Sequence, residues 1–140
     1  MWRLLLLSLT FCQHPNVGLE NQTLKSCPDS PNCVSSMDNR ASHHILPLDV
    51  PSQIDQPIQI LAEIIQTMGA SIEVSNPSYC HAIFISRLLR FRDDFEALFD
   101  AKSRKIHLRS ASRLGYSDLG VNRKRVEKVR SLWNQKHNIL

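Results

Sequence analysis

This chain of 140 residues has no glycine-rich phosphate loop, no nucleophile elbow, no internal repeat and no apolar run long enough to cross a bilayer. The first two absences argue against a P-loop nucleotide enzyme and a serine hydrolase of the strand–turn–helix kind, because both chemistries need glycines where the backbone turns sharply or approaches a ligand. The longest apolar stretch falls within Met1–Phe11 and is far shorter than the ~20 residues of a spanning helix. Aromatic residues make up only 6% of the chain. Only Tyr116 and Trp133 stand among the C-terminal basic residues, so the interleaving of rings and cations that marks single-stranded nucleic-acid binders is missing, which argues against nucleic acid as a partner.

The length suits one domain with one core. Its net charge of +4 conceals a split: from Lys102 to Leu140 there are eleven Lys and Arg against Asp118 and Glu127, and the preceding part is net acidic. Such a basic end can steer a protein toward phosphate or anionic lipid, or it can be a solvated helix face.

MWRLLLLSLTF, Met1–Phe11, has one positive charge followed by an apolar run, the pattern of a secretory signal. Cys12 follows at the place of a lipid-modified cysteine. Leu9 and Thr10 suit that recognition site and Phe11 does not, so two readings stay open: lipidation at Cys12, or a signal that is cleaved in the ordinary way or kept as an uncleaved anchor. Either places the domain outside the cytoplasm, periplasmic or membrane-anchored on the extracytoplasmic side, with a lipid able to tether it to the membrane. Residues 1–12 are thus expected to be an export segment, 13–23 an unstructured spacer, and 24–137 a single domain.

Cys27 and Cys33 flank a segment containing Pro28 and Pro31. In an exported chain they are expected to form a disulfide stapling an extended strap, worth roughly 2 kcal/mol for so small a loop. The rival is a metal site of Cys27, Cys33, His43 and His44. Zinc motifs usually place paired cysteines two to four residues apart, and no metal or other cofactor is assigned. Pro47 and Pro51 keep residues 45–53 extended.

Ile58, Leu61, Ile64, Ile65 and Met68 recur at helical spacing, with Asp55 as the expected cap, Pro57 in the first turn and Gly69 as the stop. Ser71–Ser75 and Tyr79–Ser86 read as a hairpin, with Cys80, Ala82 and Phe84 on one face and Tyr79, His81, Ile83 and Ile85 on the other. In the next hairpin, placing Asp100 opposite Lys105 sets Phe99 against Ile106, Ala97 against Leu108 and Glu96 against Arg109. One face is then wholly apolar, and the other, expected to face water, gains the pairs Asp100–Lys105 and Glu96–Arg109. The last helix buries Val126, Val129 and Trp133, with Asp118 or Asn122 as cap and Glu127 placed to pair with Arg123. The expected fold is α+β, in the order α-β-β-β-β-α: a mostly antiparallel four-stranded sheet packed by two helices and preceded by the strap.

CPDSPNCVSS, YCHAIFIS, FRDDFEALFD and IHLRSASRLGYSDLGVNRKRVEKVR resemble, in order and spacing, the domain of unknown function family 1499, over about Leu24 to Arg130. The resemblance implies an exported or lumen-facing protein and brings no catalytic residue or cofactor. Among its motif positions are Cys27, Asn32, Cys33, His81, Asp93, Asp94, Glu96, Arg109, Ser110, Ser112, Arg113, Gly115, Asp118, Asn122 and Arg123. Arg90 departs from it, standing where a glycine is expected before Phe91; Arg92 replaces an apolar residue, and Ile83 and Ile85 replace polar ones. These isoleucines are expected to be covered by the strap at residues 37–53.

The candidate binding or structural network is His81, Asp93, Asp94, Glu96, Arg109, Ser110, Ser112, Arg113, Asp118, Asn122 and Arg123. The leading reading is a non-catalytic cell-envelope module, binding or structural, whose partner would be an envelope protein, a lipid or a glycan. One alternative is anion binding by Arg109, Arg113 and Arg123, meeting phosphate or a lipid head group. Another is a hydrolase or lyase using Asp94 or Glu96 with His81 or His107. Asp93 and Asp94, adjacent on a strand, point to opposite faces and cannot form a dyad.

Overall fold

The structure, a computed structural model, describes residues 15–139. The elements in chain order are β1 (Leu19–Glu20), β2 (Thr23–Leu24), β3 (Cys33–Ser35), β4 (Leu48–Asp49), α1 (Pro57–Thr67), β5 (Ser71–Ser75), β6 (Tyr79–Ile85), β7 (Arg92–Asp100), β8 (Lys105–Ser112) and α2 (Val121–His137). The main sheet runs β3-β8-β7-β6-β5, and β4 also pairs with β8. Every pairing between named strands is antiparallel. The α+β class is as expected. The sheet, however, has six strands where four were expected, because the strap contributes β3 and β4 to the free edge of β8.

The two long hairpins follow the alternation of their side chains. Asp100 faces Lys105, Phe99 faces Ile106, Ala97 faces Leu108 and Glu96 faces Arg109. Phe95, Ala97, Ile106 and Leu108 are fully buried, together with Cys80 and Ala82 of β6, beneath the helices. Phe84 meets Phe95 edge to face, ring centroids 6.1 Å apart, a geometry favoured by the ring quadrupoles. Burial raises the Cys80 thiol to about 11, as befits a core cysteine.

Helix α1 buries Ile58, Leu61, Ile64 and Ile65, and α2 buries Val126, Val129 and Trp133. Gly69, at φ +94°, ends α1 by donating its N–H to Gln66 O at 2.9 Å. Asp55 does not cap α1: Gln56 holds the N-cap position without a side-chain bond, and Pro57 opens the helix. A proline there lacks one of the N–H groups a cap would satisfy. In α2, Glu127 pairs with Arg130 at 3.2 Å and not with Arg123.

Three further expectations are corrected. Residues 13–23 do not form a plain spacer in their described part, for β1 and β2 make a small hairpin with Leu19 opposite Leu24. Leu24, Tyr79, Leu98 and Met37 pack together, so this hairpin covers the sheet face turned away from the helices. The strap residues Ile45, Leu48, Val50 and Ile54 join the helix-side core instead of covering Ile83 and Ile85; Ile83 is buried and Ile85 exposed. Finally, Asp100 does not reach Lys105. Its carboxylate accepts bonds from Lys102 N and Ser103 within its own turn, and Lys105 pairs with Asp49 of β4 at 2.6 Å.

Arg104 anchors the strap by donating to Pro51 O and Ile54 O at 2.5 and 2.9 Å. Arg40 does the same at its other end, donating to Cys27 O at 2.7 Å and to Asp38 at 2.6 Å. That pairing holds the Asp38 carboxyl down at about 2. Among the described residues no helix is long and apolar enough to cross a membrane. The expected export segment, including Cys12, lies outside the described residues.

Candidate functional site

The RSASR run, Arg109–Arg113, crosses the end of β8 into the following turn, and strand alternation divides it. Arg109 and Arg113 go to the outer face, Ser110 and Ser112 to the helix side. Two polar clusters result, one on each side of the same backbone.

On the helix side, Asn122 is fully buried in the first turn of α2. Its Oδ1 accepts from Ser110 Oγ and Arg125 Nη1, both at 2.7 Å. Its Nδ2 lies 2.8 Å from Ser112 Oγ and 2.7 Å from Asp118 Oδ2. Gly120, not Asp118 or Asn122, holds the N-cap position of α2, but Asp118, two residues before it, accepts the Asn122 backbone N–H at 3.0 Å and so satisfies one of the helix's free donors. Burial alone would raise the Asp118 carboxyl, but these bonds outweigh it and hold the group below its ordinary value. Arg125 reaches on to Asp93 at 2.6 Å and lies over the Phe84 ring, 4.6 Å from its centroid.

On the outer face, Asp94 accepts two bonds from Arg113, Nε to Oδ2 and Nη2 to Oδ1, each 2.8 Å. His81 Nε2 lies 2.7 Å from the same Oδ1. Burial works to raise the Asp94 carboxyl, but the bonds from His81 and Arg113 prevail and hold it below the ordinary carboxylate range. One register step further along, Glu96 Oε1 accepts from Tyr79 OH and from Gly18 N–H, both at 2.7 Å. Burial, reinforced by Glu96, pushes the Tyr79 hydroxyl upward.

Arg109 donates Nη1 to Glu96 Oε2 at 3.1 Å, and its buried Nε has no partner among the described residues. This pair was expected on the water-facing side; Glu96 is 0% and Arg109 2% exposed. Alternation told which face the pair occupies but not that residues 15–24 and the disulfide loop lie over that face.

The disulfide joins Cys27 to Cys33 with 5.6 Å between Cα atoms, and it packs on Ala111 of β8. Beside it a cavity of about 280 Å³ is lined by Pro15, Asn16, Pro28, Asp94, Arg109, Ala111, Ser112 and Arg113. Ser112 of the inner cluster also borders this cavity, but only the outer cluster meets it with a buried, under-bonded guanidinium.

The remaining candidates lie apart. Arg123 is exposed and donates to His44 O and Ser42 O at 2.9 and 3.1 Å, so it belongs to neither cluster. His107 Nδ1 lies 3.2 Å from Ser36 Oγ and does not reach Asp94 or Glu96 among the described contacts. Asp93 and Asp94 do point to opposite faces, bonded to Arg125 and Arg113 respectively. The cysteines of the rival metal site are joined to each other, His43 Nδ1 lies 2.8 Å from Cys33 O, and His44 Nδ1 2.8 Å from Asp38 O. The Cys27 sulfur, Asp38 and His43 ligand atoms do gather within 4.8 Å, but a disulfide sulfur is not the thiolate a metal needs.

Arg125, one of the four arginines that the sequence gathers between Lys105 and Arg125, and Gly18 both stand outside the candidate network named from the sequence. Arg125 carried a signal, standing three residues after Asn122 and four before Val129 on the buried helix face; the amide of Gly18 carried none.

A family model described as a protein of unknown function (DUF1499) matches residues 23–132. The chain belongs to this family. No curated protein and no solved structure matches it. Both polar clusters lie within the DUF1499 span, whereas Pro15, Asn16 and Gly18, which close over the outer one, lie before it. Arg90, standing where DUF1499 resemblance called for glycine, has the left-handed φ of +57° that glycine adopts without penalty.

Proposed function

We propose that this DUF1499 domain is a non-catalytic binding module of the cell envelope, and that the outer cavity holds a small anionic group, carboxylate or phosphate. The observation that carries this reading is Arg109: a guanidinium almost wholly buried, lining a cavity, with its Nε unpartnered and a single bond, to Glu96, among the described residues. A buried donor without an acceptor costs on the order of 1–3 kcal/mol, and an anion in the cavity would remove that cost. Arg113 borders the same space, and its bidentate hold on Asp94 offsets the carboxylate that would otherwise repel the ligand. The anion can be free or belong to a lipid head group, a glycan or an envelope protein. Extracytoplasmic work is supported by the Cys27–Cys33 disulfide, since such bonds persist in oxidising compartments, and by the signal-like run at Met1–Phe11.

The hydrolase or lyase reading draws on the 2.7 Å contact between His81 and Asp94. It is weaker, because Asp94 is also held by both bonds from Arg113, and Glu96 is bound to three groups.

Calorimetric titration with inorganic phosphate and with acetate tests the proposal. Binding by the wild type, weakened about 10-fold or more in Arg109→Lys by loss of a charge-assisted bond, upholds it. Equal affinity in the two proteins, or no heat with either anion, contradicts it.

A further inference from the structure

Most of the large apolar side chains that stay exposed gather at one end of the sheet. Leu88 is 88% exposed, Leu119 86%, Tyr116 74% and Leu89 64%, and Phe91 and Leu114 are about half exposed. Leu88, Leu89 and Phe91 lie in the turn between β6 and β7, while Leu114, Tyr116 and Leu119 lie in the turn between β8 and α2. The two turns are neighbours: Asp93 pairs with Ser112, and Arg113 N–H donates to Arg92 O at 3.1 Å. Scattered exposed leucines need no explanation, but a contiguous group does.

The first turn and the residue that opens β7 read SRLLRFR, Ser86–Arg92, with three arginines and no carboxylate. The side chains of Arg87, Arg90 and Arg92 make no hydrogen bond or ion pair among the described residues, and Asp118, the one acid of the second turn, is bonded to Asn122 and Gly120. The turns are built and not frayed. Ser86 N–H donates to Phe91 O at 2.9 Å, Arg90 N–H to Ser86 O at 3.1 Å, and Phe91 N–H to Ser86 Oγ at 2.9 Å. Arg90 and Leu119 both hold left-handed backbone, φ +57° and +55°, which disfavours side-chain-bearing residues. Local strain that sets a leucine in water is not explained by folding and points to a task for the turn.

We propose that this end of the sheet docks on an anionic bilayer, with Leu88, Leu89 and Leu119 entering the acyl boundary while Arg87, Arg90 and Arg92 meet head-group phosphates. The alternation of arginine with apolar residues decides between occupants. Side chains of both kinds on one short turn suit a membrane interface, where the apolar part sinks and the guanidinium stays at head-group level. Juxtamembrane arginines are attracted to anionic lipid at roughly 5-fold in affinity each. A protein partner normally needs on the order of 800 Å² of matched surface, more than two short turns readily supply. The docking does not depend on the outer cavity holding an anion.

The apolar run at Met1–Phe11 can itself carry the full chain to vesicles, so the test must read the turn. Leu88→Trp places a fluorophore at its tip, and subtracting the wild-type emission removes Trp2 and the buried Trp133. With vesicles containing phosphatidylglycerol, the difference emission should shift to the blue and be quenched by brominated acyl chains. High salt should reverse both effects, and pure phosphatidylcholine should give neither. Leu88→Asp with Leu89→Asp should bind at least 10-fold more weakly, while Lys128→Gln, which removes an exposed cation of α2 outside both turns, should not. An unshifted emission while the chain sediments with anionic vesicles overturns the proposal, as does the same shift with neutral vesicles. A blue shift that appears without lipid and grows with protein concentration overturns it too, and would assign the patch to a second copy of the chain.

Discussion

On the helix side of β8, every polar group of Asn122 has a partner, Ser110 and Ser112 are both engaged, and Arg125 joins Asp93 to the same cluster. On the opposite side, a register step away, Arg109 has one bond and an unpartnered Nε among the described residues, with a cavity beside it. The two sides share a strand, a residue inventory and a depth of burial. What separates them is closure: α2 seals the inner cluster with side chains of fixed spacing, while the outer one is covered by a two-residue-stranded hairpin and a disulfide loop. The inner cluster is a joint that fixes the β8–α2 turn, and the outer one keeps hydrogen-bonding capacity in reserve.

That contrast can be broken by substitution. The largest effect is expected from Arg125→Met, which leaves Asp93 buried without its cation; equilibrium unfolding should show a loss of about 3–5 kcal/mol and anion binding should persist. Arg109→Met should cost less, about 1–3 kcal/mol, because Glu96 keeps the Tyr79 and Gly18 donors, yet it should abolish anion binding. If both variants lost stability equally and bound anions equally, the distinction between the faces would fail. Replacing Cys27 and Cys33 together by serine should cost roughly 2 kcal/mol for a loop of this size, measurable as a lower unfolding midpoint than that of the oxidised wild type.

Acid should act on the outer face more gently. The folded Asp94 carboxyl lies below its unfolded value, so its contribution is present above about pH 4 and is lost as pH falls through the lower folded value. Asp94→Asn should therefore unfold with a shallower dependence on pH in that window, and an unchanged slope would show that the pair contributes nothing. Smallest of all, Arg123→Ala should leave the melting temperature unchanged within error, for this exposed side chain only bonds carbonyls of the strap.

How much of this was legible beforehand depends on whether the controlling interaction is local. The β7–β8 register could be read because a slip by one residue would have put Phe95 and Phe99 into water, and the disulfide because the prolines confine its short loop. Burial of Glu96 and Arg109 could not, since the cover comes from residues 15–24, far away in sequence and without alternation of their own. The Asp100–Lys105 ion pair, expected and not formed, has the same cause. Asp100 found donors in its own turn, while Lys105 met Asp49 on a strand too short to announce itself. Arg125 was readable from helical spacing, but nothing local to Asp93 told that this arginine would meet it.

The arginine Nε–Hε region of a proton–nitrogen correlation spectrum tests the central claim most directly, because it observes the two faces at once. As inorganic phosphate is added, the Arg109 signal should move and saturate while that of Arg125 stays in place. An Arg109 signal that does not respond, or one that moves only in step with Arg125, would contradict the assignment of the outer face to binding.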